Sequence, residues 1–192
     1  QYDIIFRSPG ISYYHPKIQE AKEAGVEISS QIKLFFELCP CKIIGVTGTK
    51  GKGTTASLIF EIMKRNNQET RNNNQTNLNS QIPNNKYQIN SRIKNSNDNN
   101  NLELEIRNLE FQPNIYLAGN IGYPAITLIP KLKPEDIVIL ELSSFQLMDL
   151  EASPYIAVIT NLTVDHLDYH KDVLEYQKAK FNILKYQTVN DY

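Results

Sequence analysis

The chain has 192 residues, a hydrophobic fraction of 41% and a formal net charge of −1. That is room for one domain, or one domain and part of another, with a real core. The near-zero charge argues against a nucleic-acid partner, and the longest apolar runs, "IVILEL" and "IAVIT", are strand-length, so neither a membrane partner nor a leader peptide is expected.

Taken in chain order, Ile4 to Phe6 reads as a short strand stopped by the turn residues Ser8-Pro9-Gly10. His15 to Ala24 reads as a helix, with Pro16 in its first turn and Gly25 ending it. A short strand at Val26 to Ile28 and a second helix at Gln31 to Leu38 follow. Cys39 and Cys41 flank Pro40. A disulfide across one residue is strained and a zinc site needs more ligands, so two reduced thiols in a cytosolic protein are expected. Lys42 to Val46 is a buried strand that enters a glycine-rich loop, and Thr54 to Lys64 is a helix with Ala56, Leu58, Ile59, Ile62 and Met63 available for packing.

From Asn66 to Asn101 the sequence is dominated by Asn, Gln, Ser and charged residues, and no periodicity survives. Such a stretch buries too little surface to offset its ordering entropy, so a long, disordered insertion is expected there. Leu102 to Phe111 regains alternation, as a strand would. "NIYLAGNIG" is a strand ending in a glycine turn, with a helix expected near Pro124 to Leu128. "DIVILELSSFQL" and "YIAVITNLTVDHLDYH" each hold a buried strand and a polar turn, and Val173 to Leu184 is a helix. Unbroken apolar strands alternating with helices predict an α/β fold whose mostly parallel sheet is covered by helices on both faces.

The loop "GVTGTKGKGTT" carries the first chemistry. Between a strand and a helix, the N–H groups of such a turn cradle phosphate oxygens, and the helix N-terminus adds positive charge. Gly48, Thr49, Lys50, Gly51, Lys52, Gly53, Thr54 and Thr55 are therefore candidate ATP-binding residues, with Lys52 reaching the outer phosphates. The spacing from Gly45 to Gly51 is one residue longer than the usual eight-residue pattern, and Gly53 stands where Ser or Thr is usual. Thr54 or Thr55 would then have to supply the hydroxyl that ligates magnesium; the plain alternative is a simple glycine turn. In a parallel sheet, ligands gather beyond the carboxyl ends of the strands. Those ends here carry the loop, Gly119-Asn120, Glu141 with Ser143 and Ser144, and Asn161 to His166. A carboxylate at the end of "IVIL" is costly unless it is paired or holds a cation, although Glu141 could also cap a turn. His166 is either a metal ligand or a surface imidazole.

"GVTGTKGKGTT", "LAGNIG", "LELSSFQL", "NLTVDHLDYH" and "YQKAK", in that order, resemble the ATP-dependent Mur ligases. The similarity is greatest to the members that add D-glutamate to UDP-N-acetylmuramoyl-L-alanine, and "SPGI...HP.I..A...GVEI", from Ser8 to Ile28, resembles their uridine-nucleotide domain. The resemblance implies the end of a Rossmann-like N-terminal domain over residues 1–38. An incomplete central ATP-binding domain would cover 39–192, interrupted by the insertion at about 66–101, with the C-terminal domain absent. It implies a cytoplasmic, monomeric ligase of peptidoglycan synthesis that uses ATP and two magnesium ions to join UDP-N-acetylmuramoyl-L-alanine to D-glutamate through an acyl phosphate. Catalytic roles would fall to Lys52, Glu141, His166 and Lys180. Metal ligation would fall to Thr54, Glu141, His166 and, once carbamylated, Lys180. Asn161 would assist the nucleotide. Asn120, Ser143 and Gln146 would contact the muramoyl substrate, and Ser8, Pro9 and Gly10 the uridine diphosphate.

Without the resemblance, Lys180 reads as an ordinary helix-surface lysine. Gly53 and Val164 depart from the family pattern, and the Asn-rich stretch lengthens a connection that is normally short. Two other readings stay open: a sibling ligase, including the folate polyglutamate enzymes, suggested by Lys52-Gly53, and a non-catalytic nucleotide-binding remnant.

Overall fold

The computed structural model describes residues 2–81, 113–165 and 169–192. His166, the part of the Asn-rich stretch beyond residue 81 and the strand expected at Leu102 to Phe111 lie outside the described residues.

Two parallel sheets organise the chain. The smaller pairs β1 (Ile4–Phe6) with β2 (Glu27–Ser29), with Ile5 opposite Ile28. Between them runs α1 (Pro16–Glu23), whose N-terminus is capped by the His15 ring accepting from the Lys17 N–H. The larger sheet contains β3 (Lys42–Thr47), β4 (Ile115–Gly119), β5 (Ile137–Glu141) and β6 (Ile156–Ile159), all parallel, in the spatial order β4-β5-β3-β6.

Alternation along the central strands builds two cores. Ile43, Ala118, Val138 and Leu140 face one side, where they meet Ile32 and Phe35 of α2 (Gln31–Leu38), Leu128, Leu147 and Ile183. Ile44, Val46 and Ile139 face the other, against Ala56, Ile59, Phe60 and Met63 of α3 (Lys52–Gln81). With both sides occupied, these strands need unbroken apolar runs, and helices do cover both faces of the larger sheet. Residues 125–131 form a 3-10 helix rather than an α-helix. Pro130 lies inside it, near its end, and has no N–H to donate.

The smaller sheet is fastened to the larger unit by a side chain that carried no signal in the sequence. Arg7 is 3% exposed. Its guanidinium donates to Ile11 O and Tyr169 Oη on one side, and to Phe145 O and Asp149 Oδ1 on the other, the last at 2.9 Å. Burying that charge is tolerable because so many of its donors find acceptors.

The helix after the glycine loop corrects one expectation. It begins at Lys52 and runs to Gln81, so the first part of the stretch expected to be disordered is helical. Composition alone misjudged it because extending an existing helix avoids the cost of nucleation. Local contacts assist: Arg65 pairs with Glu69 one turn on, at 3.1 Å, and Thr70 Oγ1 donates to Asn66 O at 2.9 Å. Asn67 and Arg71 also reach Pro113 O and Asn114 Oδ1 at the entrance to β4.

Candidate functional site: a phosphate loop with two lysines and a buried glutamate

The loop leaves β3 at Thr47 and enters α3 at Lys52. Thr47 is fully buried and its hydroxyl donates to Leu142 O at 2.7 Å, so it is occupied in joining β3 to the turn after β5. Gly48 follows with φ 150°, and a Cβ there would collide with Thr160 Oγ1. Only glycine suits that backbone at that approach. Thr49 is buried; its N–H donates to Asn161 O and its hydroxyl exchanges hydrogen bonds with the backbone of Thr163. Lys50 N–H donates to Asn161 Oδ1 at 2.9 Å, while Thr160 Oγ1 donates to Lys50 O at 2.8 Å. Asn161, the faintest of the sequence signals, thus braces the loop with both its main chain and its side chain.

Two residues of α5 (Val173–Lys185) grip the loop from below. Asp172 caps this helix by accepting from the Glu175 N–H at 2.8 Å, which sets the face that carries Tyr176 and Lys180. Tyr176 is fully buried and its hydroxyl donates to Thr49 Oγ1 at 3.0 Å. Lys180 is 2% exposed and its ammonium donates to Gly48 O at 2.8 Å. Lys180 is therefore not a surface lysine. Tyr176 was missed in the sequence, although its place one turn before Lys180 puts both on one face.

Glu141 ends β5 and is 5% exposed. Its Oε1 lies 3.9 Å from Lys52 Nζ, and its Oε2 has no hydrogen-bond partner among the described residues. Burial pushes its carboxyl above the usual range, and Lys52 and Lys180 pull it back in part. Lys180 is brought down to about 8, first by burial and then by the Lys52 charge, with Asp165 and Glu141 acting in the opposite sense. The result is a buried carboxylate oxygen with no partner among the described residues, at the edge of the glycine loop and within the influence of two lysines.

That oxygen is the test of fit for magnesium, a hard cation that takes oxygen ligands. Glu141 Oε2 fits. Lys180, as an amine, does not, and would repel a cation unless converted to a carboxylate. Gly53 lies beside the same oxygen: a Cβ built there would be 3.6 Å from Glu141 Oε2, in ordinary contact. A hydroxyl at position 53 would thus lie close to Glu141, and this chain carries none there. Thr54 is exposed at the next helical position, about 100° round the axis. The expectation that Thr54 replaces the missing hydroxyl is not what this geometry favours, because its side chain leaves the helix in a different direction.

The expected substrate residues fall into two groups. Ser8, Pro9, Gly10 and Asn120 are exposed. Ser143 and Gln146 instead form a reciprocal capping box on α4 (Ser144–Leu147): Ser143 N–H donates to Gln146 Oε1 at 2.9 Å, and Gln146 N–H to Ser143 Oγ at 3.3 Å. They fix the turn that follows Glu141. A cavity of about 520 Å³ lies elsewhere, behind α5, lined by residues including Tyr13, Met148, Lys178 and Asn182.

The pattern of the Mur ligase middle domain matches residues 46–192, from the end of β3 through α5. The UDP-N-acetylmuramoylalanine--D-glutamate ligase of Acetivibrio thermocellus is 37% identical over 190 residues, covering 99% of this chain and 31% of that relative. The ligase of the same name from Clostridium botulinum strain Kyoto is 36% identical over 190 residues, 99% of this chain and 32% of its own length. This chain therefore spans about a third of the length of these curated relatives. With the matched segment holding the loop, Glu141 and Lys180 alike, the chain belongs to the Mur ligase family.

Proposed function

We propose that this chain is the nucleotide-binding part of an ADP-forming ligase that joins D-glutamate to UDP-N-acetylmuramoyl-L-alanine in cytoplasmic peptidoglycan synthesis. The observation that carries the reading is the convergence of Lys52, Glu141 and Lys180 on one glycine loop: Lys52 lies 3.9 Å from Glu141, and Lys180 lies 2.8 Å from Gly48 O. The names of the relatives supply the substrates.

The loop N–H groups and Lys52 bind the outer phosphates of ATP, as in other strand–loop–helix nucleotide sites. Glu141, whose Oε2 has no hydrogen-bond partner among the described residues, would hold magnesium. When bound, that ion lowers the cost of bringing a carboxylate up to a polyphosphate. The substrate carboxylate attacks the γ-phosphorus, ADP leaves, and the amine of D-glutamate then displaces phosphate from the acyl phosphate. Lys52 neutralises charge as the phosphoryl group transfers, and the braced loop keeps the reacting groups aligned. Lys180, with its lowered affinity for a proton, is the amine suited to take up carbon dioxide; as a carboxylate it would be a ligand for a second ion, a role shared with His166. Asn161 holds the loop for the nucleotide. Ser8, Pro9, Gly10 and Asn120 contact the substrate, with Ser143 and Gln146 shaping its site.

Magnesium-dependent ATP binding by calorimetry tests the nucleotide part. Lys52→Ala should weaken binding by roughly 10- to 100-fold, the worth of a hydrogen bond to a charged group. Unchanged affinity would sink the reading. In the protein that contains this chain, phosphate release should require both the muramoyl substrate and D-glutamate; release driven by a folate would point to a sibling ligase.

Gly53 favours one second reading, a nucleotide-binding remnant that has lost ligase activity. Ligase activity of the unaltered protein, with glycine at 53, separates the two: its presence argues against the remnant. Gly53→Ser, which sets a hydroxyl beside Glu141, should tighten magnesium binding in either case. Thr54→Ala should leave magnesium affinity within about twofold, because Thr54 is exposed and about 100° round the helix from position 53, which faces Glu141.

A further inference from the structure

Two thiols lie outside this chemistry. Cys39 closes α2 and Cys41 immediately precedes β3, at the joint between the two sheets. They are at the far end of β3 from the glycine loop, about 20 Å away by strand rise. Both are free and half-buried, and their Sγ atoms are 3.6 Å apart. The chain holds no other cysteine.

That separation decides what the pair can bind. A disulfide would need the sulfurs to close to about 2.0 Å. Pro40 fixes the backbone between them, and Lys42 is already paired with Ile137, so the joint resists closing. Structural zinc asks for four ligands, and no group of three or more metal-ligating side chains occurs among the described residues. Asp136, whose charge acts on Cys41, has both oxygens engaged, by Asn114 and by the Lys133 N–H. A linear two-sulfur metal would hold its sulfurs on opposite sides, not side by side. What remains is one bridging atom that takes two adjacent sulfurs at a pyramidal angle and brings its own third substituent.

We propose that Cys39 and Cys41 form a dithiol capture site for monosubstituted trivalent arsenicals, compounds of the type R–As=O. Two arsenic–sulfur bonds form as the arsenic–oxygen double bond breaks. Two protons leave with that oxygen as water, one from the Cys41 thiol and the other the proton that Cys39 released to solvent on becoming a thiolate. Arsenic stays trivalent, so neither an oxidant nor a reductant takes part. The two thiols divide the work. The hydrogen bond from Cys41 brings the Cys39 thiol down to about 7, against the effect of burial, so Cys39 supplies the attacking thiolate. Cys41 is pushed upward by the same hydrogen bond and by burial, so it keeps its proton for the departing oxygen.

The test is titration of the reduced chain with phenylarsine oxide in the presence of excess glutathione, read by intact mass. One phenylarsenic per chain should be retained against the monothiol and released by 2,3-dimercaptopropanol. Cys39→Ser and Cys41→Ser should each weaken retention by at least about 100-fold, since the second sulfur is then no longer held in the same molecule. Both positions are half-exposed, and Cys39→Ala and Cys41→Ala provide a second pair of variants with no new polar group. Loss of the reagent to glutathione from the unaltered chain, or a weakening under tenfold in either single-thiol variant, overturns the proposal.

Discussion

The glycine loop and the far half of α3 invert what their compositions suggest. The loop, with glycines at 48, 51 and 53, should be the loosest backbone in the chain, yet side chains from two other segments hold it: Asn161 and Thr160 after β6, and Tyr176 and Lys180 from α5. The far half of α3 is a regular helix, yet the contacts its described side chains make include an exposed ion pair, a bond back to the helix's own Asn66 carbonyl and bonds at one edge of β4. Regular backbone and fixed backbone are different properties. The first comes from local hydrogen bonds and the second from partners distant in sequence.

The largest effect that would break this comparison is Gly48→Ala. It forces an L-residue into a left-handed conformation against Thr160, and should cost about 3 kcal/mol or more in denaturant unfolding, with loss of ATP binding. A cost under about 1 kcal/mol would mean that the loop yields easily. Next is the titration of Lys180. Its folded value of about 8 against the ordinary 10.5 means that the folded chain releases this proton before the unfolded chain does. Stability from this group therefore rises with pH between about 8 and 10.5, and the full cost of burying the charge applies below about 8. Cyanate labelling followed by peptide mass mapping should show Lys180 half-reactive near pH 8, well below exposed lysines. Reactivity matching theirs would remove the argument for a free amine there.

A smaller effect sharpens the comparison. Tyr176→Phe deletes one buried hydroxyl while Thr49 keeps its bonds to Thr163, so about 1 kcal/mol of stability should go. Hydrogen exchange at the Thr49 and Lys50 amides should quicken with it; unchanged exchange would show that Tyr176 packs without restraining the loop. The smallest effect belongs to α3. Glu69→Ala removes a pair whose side chains are 81% and 62% exposed, and should shift stability by less than about 0.5 kcal/mol. A larger loss would mean that this half of α3 is fastened as firmly as the loop.

Much of the site could be read from the sequence wherever the signal was local. The loop glycines, Lys52 and Glu141 at the end of an apolar strand each announce themselves within a few neighbouring residues. Lys180 did not: as a lysine on an amphipathic helix it reads as solvated, and only the family resemblance singled it out. Arg7 and Tyr176 gave no usable signal, because what defines them is partners as far as 162 and 127 positions away. Ser143 and Gln146 were recognised as important but assigned to substrate, whereas their spacing of three residues also makes a capping box. The helical start of the Asn-rich stretch escaped because composition measures what a segment could bury alone, not what an adjoining helix can extend into it.

By itself, then, the sequence determined the order of the described strands and helices, the parallel sheet with covered faces, and the glycine-rich turn between β3 and α3. These follow from hydrophobic period, turn chemistry and glycine spacing, all of them short-range. Only the tertiary structure decided that Lys180 is buried against Gly48, that Glu141 keeps an unpartnered oxygen beside Gly53, and that Arg7 joins the two sheets. Each of these depends on which distant residues the fold brings within a few ångströms, and burial sets the charge behaviour of a side chain only once those neighbours have displaced water.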